Sequence, residues 1–209
     1  MNKIWFKSGQ KRILTKYLRR ILKKWQLALK KYQITTGDLG YTSPEKANFG
    51  FFLWGCAQLK IHFLLEYTTE GIYRGKKPSQ RRPDAWIIMD KNTDAVVEVK
   101  ILPDCLDTEP RKKIHERLEA LKRQIRSLKD KDDATYRIAL LFVYLYRNRA
   151  KARARSNIEL FAEYLSKLRD YHSIDFFGGY LSPEKLINNP QNIDDKWIYP
   201  GVVVIGKYV

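Results

Sequence analysis

Pro83-Asp84-Ala85-Trp86-Ile87-Ile88-Met89-Asp90-Lys91-Asn92-Thr93-Asp94-Ala95-Val96-Val97-Glu98-Val99-Lys100-Ile101 contains two apolar runs separated by a polar segment. Trp86 to Met89 and Ala95 to Ile101 are rich in β-branched and aromatic residues. The Asp90-Lys91-Asn92-Thr93-Asp94 segment supplies turn formers, so the stretch predicts a β-hairpin. Alternate side chains on a strand share a face, so Glu98 and Lys100 project together while Val97, Val99 and Ile101 turn toward a core. Asp84 opens the first strand, and the hairpin brings its carboxylate within reach of Glu98. Pro103 is expected to end the second strand.

Two carboxylates held close together repel and raise each other's pKa unless a cation lies between them. A divalent metal resolves that conflict. Magnesium prefers oxygen ligands and is typically held by one or two carboxylates plus a substrate phosphate. Lys100 would then orient or activate an attacking water and neutralise charge developing at phosphorus.

Upstream, Ser43-Pro44-Glu45 resembles an N-cap followed by proline at the first helical position, which opens a helix running through Phe52, Trp54 and Leu59. Phe49 to Leu65 is the longest apolar stretch. It contains Gln58, Lys60 and His62 and falls short of the roughly 20 residues of a membrane span. It is read as a buried helix leading into a strand over Ile61 to Tyr67. A basic loop, Arg74 to Arg82, then abuts Asp84. Downstream, Pro110 to about Leu128 predicts a helix with Ile114, Leu118, Leu121, Ile125 and Leu128 on one face. Tyr136 to Tyr146 is almost wholly apolar over Ile138 to Leu145, as suits a central strand covered on both faces. Ser156 to about Leu168 has helical period, and Ile174 to Leu181 and Tyr199 to Tyr208 predict strands. After the N-terminal helix, the expected order is helix, three strands, helix, strand, helix and two strands, an α/β sandwich with a mixed sheet.

Pro83-Asp84 followed fourteen residues later by Glu98-Val99-Lys100 resembles the motif of the PD-(D/E)xK, or restriction-endonuclease-like, nuclease superfamily. The superfamily's common core is a helix, three strands, a helix and a strand, with the Asp at the start of the second strand and ExK on the third. The interval from Ser43 to Tyr146 has that order. The resemblance implies a restriction-endonuclease-like mixed β-sheet flanked by helices and a metal-dependent phosphodiesterase acting on DNA. It makes Asp84 and Glu98 the ligands of Mg²⁺ or Mn²⁺ and Lys100 the catalytic lysine. Many members add an acid from the first helix, here Glu45, with Glu66 or Glu70 as substitutes. Gln124 falls where some members have a functional glutamine, but it lacks the tyrosine that follows at the usual spacing.

Charge points to the same kind of partner. Forty Lys and Arg against twenty-three Asp and Glu give a net +17, which attracts polyanions. Residues 1 to 37 hold eleven Lys or Arg and no acid, whereas Asp84 to Asp107 is acid-rich. An acidic pocket in a basic shell suits metal-assisted chemistry on a phosphate backbone. In the loop before Asp84, Arg74, Lys76, Lys77, Arg81 and Arg82 are candidate DNA contacts, as are Arg147, Arg149 and Lys151 after the central strand.

From about Gln10 to Tyr32, Ile13, Leu14, Tyr17, Leu18, Ile21, Leu22, Trp25 and Leu29 form a helical stripe opposite a basic face. That face reads as solvated, as laid along phosphates, or as resting on an anionic membrane. Residues 1–40 are therefore expected to form a basic amphipathic helix with its connector, and 41–209 the nuclease-like domain.

Cys56 and Cys105 form no CxxC pair, and His62, His115 and His172 lack zinc-ligand spacing, which disfavours zinc ribbons and redox sites. No compact signal-peptide stretch opens the chain, so a cytoplasmic protein without stable membrane association is expected. The expectation is a restriction, homing, resolvase or transposase-like DNA endonuclease, working as a homodimer because duplex DNA presents two strands. The alternative is a basic DNA-binding protein that keeps this fold without cleaving.

Overall fold

The computed structural model describes residues 2–9, 11–42, 45–65, 69–70, 80–81, 83–110, 112–127, 134–153, 155–189 and 196–209. In chain order the elements are β1 (Asn2–Phe6), α1 (Arg12–Thr36), α2 (Glu45–Ala57), β2 (His62–Leu65), β3 (Thr69–Glu70), β4 (Gln80–Arg81), β5 (Ala85–Asp90) and β6 (Thr93–Cys105). They continue with α3 (Lys112–Arg126), β7 (Tyr136–Asn148), a 3-10 turn (Lys151–Arg153), α4 (Asn157–Arg169), β8 (Phe176–Leu181), α5 (Glu184–Ile187) and β9 (Trp197–Tyr208).

Among the described residues, seven strands form one mixed sheet in the order β1-β8-β9-β7-β6-β5-β2. β6 and β7 run parallel, with Glu98 opposite Ala139 and Lys100 opposite Leu141. All other neighbours in this sheet pair antiparallel. A parallel pair needs a crossover, and α3 provides it. β7 lies at the middle of the sheet, which explains why its apolar run is continuous: each face is covered. Ile138, Leu140 and Phe142 belong to the core beneath α1 and α2. Ala139, Leu141, Val143 and Leu145 belong to the core beneath α3 and α4.

The stripe read from the first helix is used in packing. Leu14, Leu18, Ile21, Leu22, Trp25 and Leu29 are buried in the same core as Val97, Leu140 and Val204, whereas Ile13 stays exposed. Each such side chain contributes about 1.5–3 kcal/mol by burial. The helix ends where Gly37 takes the left-handed conformation at φ 75° and its N–H donates to Gln33 O. On α3, Ile114, Leu118, Leu121 and Ile125 are buried as their spacing predicts; Leu128 lies outside the described residues. No described helix is long and apolar enough to cross a membrane.

Pro103 does not end its strand, because β6 continues to Cys105. Proline lacks a backbone donor and is tolerated where one strand edge is open. β5 pairs with β6 only as far as Ala85–Val97, while β7 accompanies β6 to Cys105. β1 has no counterpart in the sequence expectations. Its Asn2–Phe6 backbone pairs with β8 at the sheet edge, so a long-range partner creates this strand.

Candidate functional site

The end of the β5–β6 pairing is where Asp84 and Lys100 meet at Val99. The β5–β6 ladder ends at Ala85–Val97, and Asp84 lies one residue beyond it, beside the stretch of β6 that carries Glu98. Beyond that point β6 has no strand on this side, and a side chain takes the neighbour's place: Asp84 Oδ2 accepts from the Val99 N–H at 2.6 Å. The adjoining carbonyl is also engaged. Lys100 Nζ donates to Val99 O at 2.8 Å and lies 3.5 Å from Glu45 Oε1, with the Lys100 and Glu45 side chains about one-third exposed. Asp84, Lys100 and, through Lys100, Glu45 are thus assembled around the single residue Val99.

Glu98 is set differently. It is 2% exposed, and Gln124 Nε2 on α3 donates to its Oε2 at 2.8 Å. A buried carboxylate is costly unless it is hydrogen-bonded or paired, and the amide reduces that cost without neutralising the charge. Spacing already placed Glu98 and Lys100 on one face. Gln124 carries little weight by sequence because its expected tyrosine is missing, yet it is half-buried beside the apolar stripe of α3, and that position aims it at the sheet.

Glu45 lies in the first turn of α2, as the capping pattern predicts; Ser43 and Pro44 lie outside the described residues. Of the substitute acids, Glu66 lies outside the described residues and Glu70 falls in β3. Arg74, Lys76, Lys77 and Arg82 also lie outside them, and Arg81 forms part of β4, paired with Thr69. Arg149 and Lys151 are exposed.

Arg147 departs from the expectation that it touches phosphate. It is 1% exposed, and its Nε donates to Asp107 Oδ1 at 2.9 Å. The rest of its guanidinium donates to Asn157 Oδ1 and to the carbonyls of Arg155 and Lys151. Five donors in a rigid plane match this set of acceptors. Arg147 fastens the segment after β7 instead of facing solvent.

No family model, curated protein or solved structure matches this chain. The site therefore has to be read from its own chemistry. Asp84 and Glu98 are hard oxygen donors of the kind magnesium takes. Among the described residues, no group of three or more His, Cys, Asp or Glu is arranged to hold a metal ion, so a cation here would rely on two carboxylates completed by water and substrate oxygens.

Proposed function

We propose that this chain is a magnesium-dependent DNA endonuclease of the restriction-endonuclease-like kind, hydrolysing phosphodiester bonds at the Asp84–Glu98–Lys100 cluster. The observation that carries the reading is the gathering of Asp84, Lys100 and Glu45 around Val99, next to the buried Glu98. With the separate β3–β4 pair set aside, the elements that build or cover the large sheet follow as α2, β2, β5, β6, α3, β7, and this supports the reading, since helix, three strands, helix and strand is the order expected of that superfamily.

Asp84 and Glu98 would hold Mg²⁺ or Mn²⁺, which when bound polarises the scissile phosphate and makes water a better nucleophile. Gln124 keeps Glu98 in place. The Lys100 ammonium, braced by Val99 O and Glu45, orients the attacking water and offsets charge developing on the phosphate oxygens. The net charge of +17 brings the polymer to the site. Cutting both strands of a duplex calls for two such sites, hence a homodimer.

A second reading is a DNA-binding protein of this fold that does not cleave. The two-carboxylate donor set among the described residues and the engagement of Lys100 by Glu45 favour it. Purified protein incubated with supercoiled, linear and branched DNA and Mg²⁺ or Mn²⁺ separates the two. The nuclease reading expects metal-dependent cutting that drops at least ~10²-fold in Glu98→Ala and in Lys100→Ala. Binding without cutting by the native chain sinks it in favour of the second.

A further inference from the structure

A second charged site lies at the opposite end of α2 from Glu45. Arg20, Lys23 and Lys24 of α1 face Gln58, Leu59 and Lys60 across a groove of about 480 Å³. Its lining holds four cations and no acid, and none of the four forms an ion pair with a described residue. Gly55, three residues before Gln58, lies where α2 packs against α1. A Cβ there would stand 3.0 Å from Ile21 O and 3.1 Å from Trp25 N, so glycine lets α2 pack on α1 without the backbones having to shift apart.

Lys60 adds an independent argument. Its φ of 58° makes it the one non-glycine residue with positive φ among those described. It occupies the left-handed position that terminates α2, with Lys60 N donating to Ala57 O at 2.9 Å and Ile61 N to Cys56 O at 3.0 Å. Glycine fits that position without strain. A lysine there accepts backbone strain in order to place an ammonium beside three other cations, and like charges so gathered are relieved by an anion between them.

We propose that this groove is a binding site for the phosphodiester backbone of duplex DNA, separate from the Asp84–Glu98 cluster. The thirteen residues of α2, at about 1.5 Å each, put roughly 20 Å between its two ends, so one duplex laid along α2 reaches both. An anionic membrane is the poorer occupant. The apolar stripe of α1 is buried in the core, and Ile13, Leu27 and Ile34 are exposed only singly, too little to seat a helix in a bilayer.

The inference does not need the cleavage chemistry, so it is tested on full-length Glu98→Ala protein in EDTA. Binding to a duplex of about 30 base pairs, roughly three helical turns, is measured against salt concentration. Adding Arg20→Ala, Lys24→Ala and Lys60→Gly together should reduce the salt slope by about 2.7, roughly 0.9 for each phosphate no longer neutralised. Removing Lys3, Arg169 and Lys185 instead, an equal change in net charge at exposed positions, should reduce it far less. Lys60→Gly alone should weaken DNA binding while raising Tm, a combination that damage to folding does not produce.

Equal effects of the two triple variants, or unchanged DNA binding on removal of the groove cations, overturn the proposal. So does retained DNA binding with loss of phosphatidylserine vesicle binding, which would make the groove a lipid site. Groove-dependent binding by a native chain that fails to cut DNA would leave this proposal standing and remove the nuclease reading.

Discussion

Gln124 Nε2 lies 2.8 Å from Glu98 Oε2, so a helix that crosses from β6 to β7 holds the buried carboxylate of the candidate site. Gln124→Leu removes a donor to a charged acceptor, at a cost of about 1–3 kcal/mol in stability. Equilibrium denaturation checks that figure. If Glu98 binds metal, a Mg²⁺ titration of cleavage by the variant should also shift to higher concentration. Gln124→Glu, which sets a second carboxylate beside the first, should do more harm than Gln124→Leu. Equal stability of all three proteins would show that the hydrogen bond is incidental.

Arg147 and Arg149 are neighbours in the same basic run with opposite environments, one 1% exposed and one on the surface. Arg147→Ala leaves Asp107 and several carbonyls without their donor and should cost about 3–5 kcal/mol. Arg147→Lys should recover little, since a single ammonium cannot reach the same acceptors. Arg149→Ala should change stability by no more than about 0.5 kcal/mol. Chemical denaturation of the three variants decides the matter, and a stable Arg147→Ala protein would contradict the buried role.

Alkaline pH should weaken the fold through three buried tyrosines. Burial pushes the Tyr208 hydroxyl up to about 12, partly opposed by its hydrogen bond with Thr15. Burial also raises Tyr41, whose hydroxyl donates to Tyr199 O, and Tyr180, whose hydroxyl donates to Gln33 Oε1. A folded-state pKa above the unfolded value near 10 favours folding fully below that pH, and the contribution is lost as pH rises through the folded value. Denaturant midpoints should therefore hold steady from neutral pH to about 10 and fall toward 12. Ionisation of these tyrosines, followed by ultraviolet absorbance, should coincide with unfolding.

The hairpin is legible because its two runs have strand composition and its turn residues are typical, and Glu98 and Lys100 share a face by simple alternation. Ile114, Leu118, Leu121 and Ile125 are legible for the same reason at helical period. Pro103 misleads because a proline ends a strand only where the neighbour on the side of its missing N–H needs that donor, and the sequence does not show where β5 stops. β1 escapes a sequence reading because NKIWF has no burial pattern of its own before β8 pairs with it. Gln124 is named by the sequence but given little weight, because a polar residue beside an apolar stripe looks solvent-facing until the sheet is set against it.

The succession of the main helices and strands from α1 onward, the apolar faces and the placing of Asp84 one hairpin away from Glu98 follow from the chain alone, since local periodicity and turn chemistry act over a few residues. The packing of α3 put Gln124 on Glu98, and α2 set Glu45 near Lys100 at one end and Lys60 beside the cations of α1 at the other. The same packing buried Arg147 and left Arg149 and Arg155 exposed. Those choices depend on contacts between segments tens of residues apart, and no local pattern encodes which distant acceptor a side chain will meet.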